Sequence, residues 1–409
     1  MARSTTLGRF IERYCVLTWF AVLLMIPIAA AQGPEGFRPQ APADLPSSGR
    51  GLGETGRSEL PTPPRSTQRT GRSNPRDSYV RLARAPNMFG DTLPPLVTFR
   101  PGEQTGLPSP TFSTALSGGA SYNISENNTA IPTDRVYFLY NAFYNAFDTE
   151  SPNFSFPFNP TQNSIDMHRY LVGFEKTFFN GDFSIDFRMP LFSGLELQGS
   201  DFTTSTGNVG NLAVYLKGLL YIDNEVAVAT GMGIGLPTGS DVQMNSPASS
   251  LTIENESVRL MPFVAMTAAL NDYWFLQSFS QLNFAASGND VIGSQGQYGV
   301  FTEQNLLQFD LGGGRWLYRE GVSGVAGIVE LHYTTTIQDA DAVFIPQFDR
   351  FGGEVTVNSN RLDLLNLTSG LHFQFGTRSN LRVGAVAPLR NQPDRVFDSE
   401  LQVMFNRFF

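Results

Sequence analysis

Nine charged side chains recur on the polar parity of segments whose other parity is apolar: Arg169, Glu175, Asp186, Arg188, Lys217, Arg259, Glu330, Arg382 and Glu400. His332 shares its parity with Glu330, two residues away. Carboxylates, guanidinium groups and an imidazole on one face could bind and orient a solute, or pair with one another. Nucleophilic catalysis would need a Ser beside a His, and none of His168, His332 and His372 has a Ser two residues away. A lone His/Glu pair on a wet face is more often solvated than catalytic, so no enzyme is expected. Three dispersed His and a single Cys give no metal-ligand spacing, and no metal or other cofactor is expected. The Gly-rich GMGIG run is not followed by a helix pattern, so it does not read as a nucleotide fingerprint.

Period-two alternation identifies the elements that hold these groups. In the third of twelve alternating segments Phe183, Ile185, Phe187 and Met189 interleave with Asp182, Ser184, Asp186 and Arg188. A strand sends alternate side chains to opposite faces, so one face is apolar and the other charged. The fourth places Leu212, Val214, Leu216, Leu220 and Ile222 outward and Tyr215 and Lys217 inward. The fifth places Ala227, Ala229, Gly231, Gly233 and Gly235 inward, a small-residue stripe that leaves space, admits another backbone, or relieves strain. The tenth sets Leu365, Leu367, Leu371, Phe373 and Phe375 against Asn366, Thr368, His372 and Gln374.

The twelve strands are predicted at 134–147, 166–179, 182–190, 211–222, 225–236, 257–270, 273–286, 297–312, 322–336, 361–375, 380–389 and 397–409. Short links at Asn180–Gly181, Asp223–Asn224, Asn271–Asp272, Leu317–Gly321 and Gly376–Ser379 alternate with mostly longer ones, as in barrels with short periplasmic turns and long external loops. Tyr140, Tyr144, Trp274, Trp316, Tyr318 and Tyr333 fall near several strand ends and suit interfacial girdles. The last strand runs to the carboxy-terminus with Val403, Phe405 and Phe409 on its apolar parity. An unpaired edge of that kind recruits other strands, and closure onto the first strand removes it. The fold class expected is all-β: a transmembrane antiparallel up-and-down β-barrel of about 12 strands.

The remainder divides by composition. Arg3, Arg9 and Arg13 precede an apolar run from Val16 to Ile28 and then Ala29, Ala30 and Ala31, which reads as a secretory signal peptide over 1–31. The single Cys15 falls within it, leaving the mature chain without a thiol. Between Gln32 and Pro110 lie 14 of the chain's 26 prolines, in surroundings too polar to offset ordering entropy. A disordered, Pro-rich periplasmic linker is expected over 32–110, with apolar residues returning at 80–99 as a docking segment, a small plug or plain linker, and the barrel over 111–409. Of 28 basic and 37 acidic residues, the signal holds three and one and the linker ten and seven. The 15 basic and 29 acidic residues left to the barrel argue against nucleic acid as a partner.

The stretch GNLAVYLKGLLYIDNEVAVATGMGIGLPTGSD, ending in Leu236, Pro237, Thr238 and Gly239, resembles the central hairpin of the outer-membrane transporter family called "MetA-pathway of phenol degradation". RVYFLYNAFYNA and MHRYLVGFEKTFFNGDFSIDFRMP resemble planctomycete-type outer-membrane proteins. The resemblance covers most of residues 130–409 and implies a barrel with a passage for small molecules, hydrophobic ones included; it carries no catalytic residues. Val403, Phe405 and Phe409 match the usual signal for the barrel-insertion machinery, with Arg407 where an apolar residue is more usual.

These readings predict a channel in the bacterial outer membrane, in contact with its lipids and passing a small-molecule solute, the ten inward groups setting selectivity. A structural or adhesive barrel with a plugged lumen and partner-binding loops is the alternative, because mixed charges suit a pore and a closed ion-pair network equally well.

Overall fold

The computed structural model describes residues 82–94, 96–101, 112–115, 122–151, 161–193, 197–198, 203–245, 249–346, 353–356 and 361–409. The predicted signal peptide and most of the predicted linker lie outside the described residues. Twelve strands close into a barrel: β1 (Arg135–Ser151), β2 (Thr161–Phe178), β3 (Phe183–Ser193), β4 (Leu212–Ile222), β5 (Val226–Leu236), β6 (Arg259–Ala269), β7 (Trp274–Ala285), β8 (Asn305–Glu320), β9 (Ser323–Gln338), β10 (Asp363–Phe375), β11 (Ser379–Pro388) and β12 (Ser399–Phe408). Every strand pairs antiparallel with its chain neighbours, and β12 closes on β1 through Ser399 opposite Tyr144 to Arg407 opposite Val136. The carboxy-terminal edge is thus satisfied by the first strand. Beyond it, the Phe409 ring stacks on Phe174 at 6.1 Å, with the Lys176 ammonium 5.2 Å away.

Alternation dictates the two faces. Along β3 exposure and burial alternate, with Phe187 exposed and Ser184, Asp186 and Arg188 buried. Phe138, Val172, Leu216, Leu311, Val329, Leu371 and Phe405 continue the apolar outer face around the ring. The short β4–β5 turn is capped by Asp223, which accepts hydrogen bonds from Tyr221 Oη and from the N–H groups of Glu225 and Val226. Partial burial opposes ionisation of Asp223, but these donors hold its carboxyl below the usual carboxylate range.

Three local expectations are corrected, and a register shift accounts for one. The sequence placed strand eight at 297–312 and a link at Leu317–Gly321, whereas β8 runs Asn305–Glu320 and turns at Gly321 and Val322. Gly312–Gly314, at and beyond the predicted strand end, are mid-strand, where a Cβ on Gly314 would lie 2.2 Å from the Phe275 ring. A register shift between Leu219 and Tyr221 turns Ile222 from the outer face to the inner cluster. Trp316 keeps the inward parity of Asp310, Gly312 and Gly314 and is buried, away from any interfacial girdle, and the register shift that follows it leaves Tyr318 exposed.

Two further sheets stand at the mouth opposite the short turns. One has six strands in the order Gly296–Phe301, Asn289–Gly293, Ser250–Ile253, Val242–Asn245, Thr203–Thr206 and Leu197–Gln198. The other has four, in the order Val343–Ile345, Gly353–Thr356, Leu96–Pro101 and Phe112–Ala115. Val97, Phe99, Val343 and Val355 of the smaller sheet share one apolar core with Val242, Met244, Ile253 and Phe301 of the larger.

Candidate functional site

The inside of the barrel is occupied by the chain's own amino-terminal region. One leg begins at Leu82, beside the short-turn glycines Gly321 and Gly376. It reaches Leu93, which packs on Leu306, Leu362 and Leu364 at the opposite end. The chain then forms Leu96–Pro101 and Phe112–Ala115 in the outer sheet. A second leg descends from Tyr122, whose hydroxyl donates to the carbonyl of Asn211, to Asp134, whose carboxylate accepts from Lys176 and Thr177 at the short-turn end. The hairpin therefore crosses the lumen twice before β1 starts. Residues 82–94 and 96–101, which the sequence assigns to the linker, lie within this arrangement.

Sequence explains how the two legs fit together. Gly90 has φ of 74°, a conformation that L side chains rarely adopt, and a Cβ there would lie 2.4 Å from Glu126 Cα. The legs touch at that point, joined by hydrogen bonds from Asn127 N–H to the Phe89 carbonyl and from Met88 N–H to the Asn128 carbonyl. The Phe89 ring is fully buried over Gly370 and Gly384, where an added Cβ would approach it to 2.4 Å and 2.8 Å.

Five of the ten predicted inward groups grip the hairpin at 87–90 and 123–129. Arg169 binds Glu126 through two nitrogens, at 2.5 and 3.0 Å. Glu330 receives the N–H groups of Phe89 and Gly90 at 2.8 and 2.9 Å. Arg382 donates to the carbonyls of Asn87 and Met88 and to Asn127 Oδ1. Lys217 donates to Asn128 Oδ1 at 2.8 Å and to the Thr129 carbonyl at 3.1 Å. Arg188 donates to the Asn123 carbonyl at 3.0 Å.

The other five support these from the wall. Glu175 pairs with Arg135 at 2.8 Å and with Lys217 at 2.9 Å. Asp186 accepts from Arg188 at 3.0 Å and from Tyr137 Oη at 2.6 Å. Arg259 donates to Asn283 and the Gln304 carbonyl and lies 3.4 Å from Glu303. His332 Nδ1 is 2.7 Å from Asp310 Oδ1, and its Nε2 is 3.4 Å from Glu330. Glu400 accepts from Asn141 at 2.6 Å and from Gln402 at 3.1 Å. All ten side chains are buried. Low surrounding polarity makes such bonds strong and makes an unpaired partner costly, so the network fixes the hairpin's position.

Sequence reasoning missed the hairpin's own contribution. Glu126 and Asp91, the latter held by Asn366 at 2.7 Å, lie outside any alternating segment. The Asn-rich run Asn123–Asn128 was the available signal, since such residues favour turns with positive φ, and Asn127 has φ of 52°. Asp310 and Gln281 were also missed; both touch the hairpin, at Asn123 and at Ile124. The glycine stripe of β5 is covered by neighbouring rings: a Cβ on Gly233 would lie 2.4 Å from Tyr215, and one on Gly231 would lie 2.5 Å from Phe263.

No family model and no curated protein matches this chain. Among solved structures, an outer membrane channel from Pseudomonas putida F1 is similar at 14% identity and a TM-score of 0.45, covering 69% of this chain and 97% of that one. The transport unit of the autotransporter AIDA-I from Escherichia coli gives 9% identity, a TM-score of 0.42 and coverage of 68% and 90%. The Pseudomonas putida toluene transporter TodX gives 8% identity, a TM-score of 0.32 and coverage of 72% and 95%. At such identities these likenesses extend to barrel architecture and no further.

Proposed function

We propose that this protein is an outer-membrane channel for small solutes whose lumen is held shut by its own amino-terminal hairpin. The observation that carries this is the ring of charged wall side chains converging on the hairpin. A twelve-stranded barrel is wider than the roughly eight-stranded size that side chains alone can fill. With the hairpin displaced, Arg169, Lys217, Glu330 and Arg382 would face water and line a polar passage. The apolar outer face suits lipid, and in this reading the short turns and the Pro-rich linker lie in the periplasm, with Val403, Phe405 and Phe409 as the assembly signal. Resemblance of the β4–β5 hairpin to the phenol-degradation transporter family agrees, and points to solutes with apolar character.

The test is conductance in planar bilayers, comparing the full chain with a Glu126→Gln/Glu330→Gln variant whose folding is checked by heat-modifiable migration. The native protein should be closed for most of the time, and the variant should show stepwise openings. A folded variant as silent as the native protein would overturn the channel reading. It would favour a second reading, a structural barrel presenting its loops to a partner, which the two outer sheets with their shared core support.

A further inference from the structure

At the short-turn mouth the hairpin does not fill the barrel completely. A cavity of about 440 Å³ remains between its two ends and the wall, within the size range of small-ligand sites. Leu82 and Ile131 from the hairpin and Trp316 and Val322 from the wall give it an apolar body. Its ionisable lining is unbalanced in sign. It comprises Arg84, Arg319, His372 and Asp134, and Asp134 is already neutralised by Lys176 at 2.7 Å and by two hydrogen bonds from Thr177.

Two of the three remaining groups lie against one aromatic ring. The Arg319 guanidinium sits 5.3 Å from the Trp316 ring centroid and is steadied by a hydrogen bond to the Asp272 carbonyl. Trp316 meets His372 edge-on, with centroids 5.5 Å apart. Gln374 uses its amide nitrogen on the Gly376 carbonyl, which turns its oxygen toward His372 Nε2 at 3.2 Å. His372 therefore donates through Nε2 and keeps a lone pair on Nδ1. That buried atom has no hydrogen-bond partner, although the ring lines the cavity.

We infer that this cavity is a binding site for a small organic acid, its apolar body against Leu82, Ile131 and Trp316 and its carboxylate against Arg84 and Arg319. Guanidinium groups match a carboxylate in both charge and shape, and an apolar chamber with a few fixed polar groups orients such a ligand. Because hairpin and wall both supply contacts, occupancy bears on the base of the hairpin, yet the site exists whether or not the hairpin ever leaves the lumen.

Decanoate is a suitable probe, read through Trp316. In a Trp274→Phe chain lacking the predicted signal, Trp316 is the remaining tryptophan. Titration of that protein in lipid nanodiscs should give a saturable change in its emission. Arg84→Gln/Arg319→Gln should weaken decanoate binding at least tenfold, and Arg319→Lys should restore part of it. Decanol and decyltrimethylammonium should bind at least tenfold more weakly than decanoate. Equal response to all three probes would mean simple partition and would overturn the assignment, as would a linear response or none from protein shown to be folded. Saturable binding without conductance would sink the channel reading and keep this site.

Discussion

The same amino-terminal hairpin is held by two different kinds of physics along its length. Inside the barrel its legs are fixed by charge-assisted hydrogen bonds, from Arg169, Lys217, Glu330 and Arg382. In the outer sheets its first strand is held by backbone pairing and an apolar core, with Val97 and Phe99 buried among Val242, Met244 and Phe301. Apolar burial is non-directional and tolerates small shifts, whereas a buried ion pair demands one geometry. The lumen contacts therefore set the hairpin's register and the outer sheets supply adhesion. Breaking a lumen contact leaves an uncompensated buried charge, while trimming the outer core loses only area and packing.

That contrast can be broken first at Glu126. Glu126→Ala strands Arg169 without its partner, and removal of one member of a buried pair costs about 3–5 kcal/mol. Amide hydrogen exchange at 87–90 and 123–129 should accelerate sharply while the strands stay protected. If instead the whole barrel loosens, the hairpin is part of one indivisible core. Phe89→Ala empties the slot over Gly370 and Gly384 and should cost about 3–5 kcal/mol, read as a lower midpoint in denaturant. Met244→Ala, in the outer core, should cost about 2–5 kcal/mol and free the outer sheets to exchange without exposing the lumen legs. An effect of Met244→Ala on exchange at 123–129 would show the two regions to be coupled. Val329→Arg, on the outer face, should cost about 2–4 kcal/mol in a bilayer, measured as folding efficiency into vesicles. Arg390→Ala, which breaks an exposed pair with Asp394, should change stability by about 1 kcal/mol or less and calibrates the series.

The sequence by itself determined the barrel. Strict alternation in β3, β10 and β12 defines an inner and an outer face, and short turns such as that at Asp223 set the strand count, because period two and turn chemistry are local properties of the chain. It also determined that ten polar groups share the inner parity, since parity alone assigns a side chain to a face. Tertiary structure decided the registers of β4 and β8, where a single bulged residue turned Ile222 inward and Tyr318 outward. Only tertiary structure could decide what those ten groups hold. Arg169 and Glu126 are 43 residues apart, Glu330 and Phe89 are 241 apart, and the hairpin's legs carry no periodicity of their own. Their positions follow from filling a lumen that exists only once β12 has closed on β1.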